Sequence, residues 1–207
     1  MVQSRVERKR DRRTQEILAV AAELFGERGY DAVSLDDVAE RLDVTKGSLY
    51  HYFSGKEELA TAAVAVLGAA WMERLAALPA DGTPTARLRA LLREHVTIAV
   101  RDHPAALRVY LVPEEWPPAQ RTVIKDLRRR HDRLFRDLVA EGVATGEFTV
   151  ADPDTALQCL HAATSQAPAW CRELAGPARA AKIERLVATL MMLVGVLPAA
   201  GSGTLAP

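Results

Sequence analysis

Between Ser34 and Lys56 the chain crowds hydrogen-bond donors into one short stretch: Ser34, Thr45, Lys46, Tyr50, His51 and Lys56, with Gly47 among them. Hydroxyl, ammonium, phenol and imidazole groups are the ones that engage phosphate oxygens and the edges of bases. Gly47 and Ser48 keep the start of a helix slim, which lets its backbone approach a duplex closely. Leu49 and Phe53, four residues apart, share one helix face and supply an apolar anchor behind the donors. A small hydrophobic cluster between helices would account for Phe53. It would not account for Lys46, Gly47, Tyr50 and His51 together, in a chain that is only 5% aromatic.

The elements that must hold these side chains are legible in the same stretch. Leu35, Val38, Ala39 and Leu42 recur at i, i+3, i+4 and i+7, the apolar stripe of a first short helix. Ser34 and Asp37 have the spacing of a capping box, with Asp in place of Glu. Asp43-Val44 interrupts the pattern, and Thr45 is placed to cap a second helix. Ser54 and Glu57 repeat the capping-box spacing where the next helix begins. Upstream, Ile17, Ala21, Leu24 and Phe25 predict a helix over about 11–28, stopped by Gly29. Ahead of it Arg5, Arg8, Lys9, Arg10, Arg12 and Arg13 read as a basic arm that reaches along a nucleic-acid backbone or into the minor groove.

The run Thr45-Lys46-Gly47-Ser48-Leu49-Tyr50-His51-Tyr52-Phe53, followed by Lys56-Glu57-Glu58-Leu59, resembles the signature of the TetR family of bacterial transcriptional regulators. The resemblance extends upstream through Ile17, Ala21, Leu24, Phe25, Gly29 and Tyr30 to Val38 and Ala39, about the first third of the chain. It implies that Ser34 and Thr45 hold phosphates, that Lys46, Gly47 and Tyr50 face the groove, and that His51 and Lys56 contact the backbone. Tyr52 stands where many relatives carry His. The resemblance further implies double-stranded, palindromic operator DNA, a homodimer joined through the last two helices, and a small-molecule effector.

Length and composition agree with an all-α chain of about nine helices. The 207 residues are 49% hydrophobic, with zero net charge, so affinity for a polyanion must come from local patches. The expected organisation is a helix-turn-helix domain with its basic arm over 1–55, a helical ligand-binding and dimerisation domain over 56–200, and a disordered tail over 201–207. Two cysteines, Cys159 and Cys171, are too few and too far apart for a disulfide framework or a zinc site. There is no signal peptide and no run of 18 apolar residues, so neither export nor a membrane span is expected, and the cytoplasm fits.

Further helices are predicted over about 56–78, with Leu59, Ala63, Val66, Ala70 and Trp71 inward, then 85–102, 105–111, 119–145, 153–173 and 177–197. The first of these joins the DNA-binding unit to the rest, so a tilt of it would move the recognition helix. Arg128, Arg129, Arg130, Arg133 and Arg136 line one side of the helix over 119–145; they read first as a solvated face, second as part of a pocket for an anion and last as a DNA contact. Pro168 should kink or shorten its helix.

No constellation for catalysis is visible. No glycine-rich loop follows a strand, His95 and His103 lack a third ligand, and neither cysteine has an activating base in view; no enzyme and no cofactor are expected. The large domain reads instead as a container, with His95, Tyr110, Trp116, His161, Thr164 and Trp170 as candidate pocket residues on otherwise apolar faces. Trp170 with Arg172 and a Gly-Pro before the last helix resembles TetR-like regulators of fatty-acid and steroid degradation, which implies an acyl-CoA effector. The expected function is an effector-released repressor. The alternative is a DNA-binding protein whose C-terminal domain is a protein-interaction module without a ligand.

Overall fold

The structure is a computed structural model and describes Ser4–Asp102 and Trp116–Leu197. Among these residues there are eight α-helices and no strand. In order they are α1 (Arg5–Arg28), α2 (Leu35–Arg41), α3 (Lys46–Tyr50), α4 (Lys56–Ala76), α5 (Pro84–Thr97), α6 (Pro118–Ala144), α7 (Pro153–Cys171) and α8 (Gly176–Met192). A π-helical segment, Ile98–Asp102, continues α5. The helix expected over 105–111 and the tail over 201–207 lie outside the described residues, as do His103 and Tyr110.

Packing divides the described residues into two units, one of residues 4–74 and 116–131, the other of 75–102 and 132–197. The first has a single core. Ile17, Leu18, Leu24 and Phe25 of α1, Leu35 and Val38 of α2, Leu49 of α3 and Leu59, Ala63 and Val64 of α4 are buried together with Trp116, Ile124 and Leu127. The boundary expected at residue 55 therefore coincides with no break in packing, because α4 and the start of α6 complete the core that α1–α3 alone leave open. Within α4 the buried stripe is Leu59, Ala60, Ala63, Val64 and Leu67. Ala70, expected inward, is exposed, while Val66 and Trp71 pack only partly against the core. By length and composition α4 is apolar enough to cross a membrane; its Leu59, Val64 and Leu67 lie in this core, with Trp71 packed partly against it.

Two helix ends differ from expectation. α1 starts at Arg5, six residues early, because Ser4 and Glu7 form a reciprocal capping box: the Glu7 N–H donates to Ser4 Oγ (3.1 Å) and the Ser4 N–H to Glu7 Oε2 (2.7 Å). Arg and Lys are also good helix formers. At the other end α8 stops at Met192 rather than near 197. Gly195 has φ 82°, and the Thr149 N–H donates to Val194 O at 3.1 Å. A Cβ on Gly195 would sit 2.8 Å from Thr149 O, so close approach of two backbones ends the helix there. Glu58, not Glu57, closes the cap on α4, accepting from the Ser54 N–H at 2.7 Å and the Ser54 hydroxyl at 2.6 Å. Those bonds hold the Glu58 carboxyl below its ordinary range. α7 runs on through Pro168 for three further residues.

In the second unit Leu88, Leu92 and Val96 of α5, Phe135, Leu138 and Val139 of α6, Leu157 and Leu160 of α7 and Ile183, Val187, Leu190 and Met191 of α8 are buried. On α6 Phe135 is wholly buried and the adjacent Leu134 only partly. The arginines Arg128, Arg129, Arg130, Arg133 and Arg136 are exposed. Arg130 pairs with Asp126 at 3.1 Å, and Arg136 with Asp132 at 3.3 Å and with Asp154.

Candidate nucleic-acid interface

α2 and α3 are held by short-range bonds. The Ser34 capping box is formed with Asp37, which accepts from the Ser34 N–H (2.8 Å) and hydroxyl. These bonds, then the Arg28 guanidinium beside it, hold the Asp37 carboxyl below its usual range. Arg28–Asp37 (2.7 Å) and Arg41–Glu27 (3.1 Å) tie α1 to α2. Between α2 and α3 the chain turns on Asp43 at φ 53°, a left-handed conformation that Asp tolerates better than most L-residues.

α3 buries Leu49, with Phe53 buried just beyond its end, and presents the other side outward. Tyr50 is 51% exposed, a large aromatic side chain turned to solvent. Thr45, Lys46, Gly47 and His51 are exposed too. The remaining expected contacts carry partners of their own. Thr45 stands at the N-cap of α3, but its hydroxyl bonds Ser48 Oγ (2.9 Å) and not the helix backbone. Lys46 Nζ donates to Asp36 Oδ2 at 2.6 Å, which raises its pKa. Lys56 Nζ lies 4.3 Å from the centre of the Tyr30 ring and donates to Asp31 O at 3.2 Å. Ser34 has both its N–H and its hydroxyl committed to Asp37.

The pocket candidates divide. His95, His161 and Thr164 come together in the second unit. His95 and His161 both set their ring planes steeply against Phe135, at 5.6 and 5.2 Å. The Thr164 hydroxyl donates to His161 O at 3.0 Å, and His161 Nε2 is 3.3 Å from Asp132 Oδ1. Burial, reinforced by the neighbouring His161, pushes the His95 pKa down to about 3. Trp116 belongs instead to the first unit, buried 5.5 Å from Phe25 and 5.3 Å from Tyr30, because its indole fills the gap beside those two rings. Trp170 is 48% exposed on the surface at the end of α7. Phe135 and Asp132 were not singled out from the sequence; the i+4 step from Phe135 to Val139 was the available signal.

Residues 17–63 match the family model described as "Bacterial regulatory proteins, tetR family", and residues 81–194 match "Tetracyclin repressor-like, C-terminal domain". The chain belongs to the tetR family. It is a DNA-binding transcriptional regulator. One similar protein is the HTH-type transcriptional repressor KstR2 of Mycobacterium tuberculosis, 27% identical over 179 residues that cover 83% of this chain and 86% of that one. A TetR/AcrR-family regulator from Thermobifida fusca has a solved structure with TM-score 0.64 and 33% identity over 86% of this chain and 96% of that one. AibR, solved in complex with isovaleryl coenzyme A and operator DNA, superposes with TM-score 0.72 at 21% identity, covering 88% and 98% of the two chains, a likeness of fold.

Proposed function

We propose that this TetR-family chain is a homodimeric repressor that reads a palindromic operator with α3 and is released by a small amphipathic effector bound in its C-terminal domain. The observation that carries the DNA reading is the two-sidedness of α3: Leu49 is buried to 1% while Tyr50 beside it is 51% exposed. A helix anchored on one side and offering a phenol on the other suits insertion into the major groove. Thr45, Lys46, Gly47, Tyr50 and His51 form the contacting set, and Ser34 and Lys56 support it from the flanking turns. Lys46 must exchange Asp36 for DNA, which makes Asp36 a competitor that disfavours weak, non-specific encounters.

The dimer reading rests on exposed apolar side chains on and beside the last two helices: Trp170, Met192 and Leu193. A two-fold pair matches a palindrome. The effector reading rests on His95 and His161, both set against Phe135, with Thr164 bonded to His161 O, and on AibR, a protein of the same fold solved with isovaleryl coenzyme A. An acyl-CoA is the effector class proposed, and the cytoplasm, where chromosomal operators lie, is the site of action.

The deciding experiment selects duplexes from a random pool with the purified chain at a stated salt concentration. An enriched palindrome supports the reading, and Tyr50→Ala should weaken binding to it by roughly 1–3 kcal/mol. Retention without enrichment would remove it. A melting-temperature screen with acyl-CoAs tests the effector, because a ligand that prefers the folded state must raise the transition.

A further inference from the structure

The opening of α1 is not a loose arm. Its cations Arg5, Arg8, Lys9, Arg12 and Arg13 fall at i, i+3, i+4, i+7 and i+8, one stripe on one helix face. The stripe forms one wall of an open groove of about 1390 Å³, and Ser48, His51 and Tyr52, at and just after the recognition helix, line it as well. Arg13 pairs with Glu16 at 2.7 Å, while Arg12, 3.9 Å from the same carboxylate, keeps its side chain 80% exposed. Glu7 is occupied by the Ser4 cap and Asp11 is the remaining carboxylate of the segment. Downstream, Ile17, Leu18, Ala21 and Ala22 are buried, so the basic turns extend from a helix fixed in the core of the DNA-binding unit.

We infer that this rigid wall is a phosphate clamp for the duplex backbone flanking the base pairs read by α3. The inference rests on the DNA reading above and adds to it a second binding surface with a stated chemistry. From Arg5 to Arg13 the helix advances about 12 Å. One strand of B-DNA carries one charge per roughly 3.4 Å of axis, so the stripe faces about three phosphates. The charge, length and one-sidedness of the wall match a strand of phosphodiester. A helix about 10 Å across cannot enter a minor groove about 6 Å wide, so the wall tracks the backbone without reading bases.

Three measurements on the full chain test this, using the duplex recovered by selection and an unrelated duplex of equal length. In the variant Arg5→Gln, Arg8→Gln, Lys9→Gln, Arg12→Gln the slope of log K against log salt should become shallower by about 5 for a dimer, at about 0.9 for each of roughly six phosphates. Affinity for both duplexes should fall by the same factor, since phosphate contacts carry no sequence information. Asp11→Pro keeps every cation, removes a negative charge and breaks the helix; it should weaken binding to both. An unchanged slope in the glutamine variant overturns the clamp. Binding by Asp11→Pro as tight as wild type overturns the rigid wall and makes the segment a flexible arm. If the wild-type chain enriches no duplex, the DNA reading itself fails, a result distinct from all of these. The substituted side chains lie outside the buried core, and an unchanged melting curve for the glutamine variant confirms that the fold is intact.

Discussion

Acidification should destabilise this protein through His95, and the size of the effect follows from its surroundings. The imidazole packs on Phe135 and beside His161, and its pKa falls from 6.5 to about 3. In the unfolded chain the same group takes up a proton near pH 6.5. Between those two values the unfolded state binds more protons than the folded state, so stability is complete above about pH 6.5 and declines as pH drops toward 3. At pH 5 the unfolded state gains about 2 kcal/mol from this one group, relative to pH 8. His95→Phe keeps an aromatic ring against Phe135 and removes the proton site. Urea unfolding at fixed protein concentration, at both pH values, gives four stabilities. The wild-type loss on acidification should exceed that of the variant by about 2 kcal/mol, whatever the variant does to stability at pH 8. Equal losses would refute the reasoning and mean that His95 is hydrated or paired when protonated.

Other substitutions probe the frame around the interface. Asp43→Gly should raise stability by about 0.5–1 kcal/mol and Asp43→Val lower it by about 1–2, since only glycine holds φ 53° without strain; urea midpoints read both. Gly142→Ala should cost about 1–3 kcal/mol, because the new methyl would overlap the buried Phe148 ring, and thermal unfolding measures it. Ser34→Ala removes the α2 cap and should cost about 1 kcal/mol in urea unfolding, with a further loss of operator affinity only if the hydroxyl also reaches a phosphate.

What the sequence disclosed and what it hid differ in range. Ser34 with Asp37, Leu49 with Phe53 and Gly29 after α1 are neighbours in the chain, and local rules suffice for them. Ser4 and Glu7 obeyed the same rule, but an arginine-rich run invites the reading of a tail and hid a helix start. Trp116 could not be placed, because its partners Phe25 and Tyr30 lie some 90 residues earlier. Gly195 ends α8 through a backbone bond to Thr149, and nothing local to 193–197 announces that. Among the interface candidates, residue types and spacing pointed to the donors, while the competitors Asp36 for Lys46 and Tyr30 for Lys56 depend on how α2, α3 and the start of α4 meet.

The helical opening of α1 also fixes how the charge of the molecule is distributed. From Arg5 to Arg13 there are six cations and two carboxylates, a net charge of +4. The whole chain is neutral, so the other residues together carry −4. Such a molecule feels no net pull toward a polyanion, yet it feels a torque in the field of one. As it diffuses toward a duplex it turns its basic end forward before any contact forms, which raises the share of encounters that are correctly oriented. The other residues, whose charges sum to −4, add no net attraction of their own. A flexible tail of the same composition would lack that fixed direction. Anchoring the cations in a helix thus turns a neutral protein into a compass needle for DNA, and the benefit should appear in the association rate at low salt.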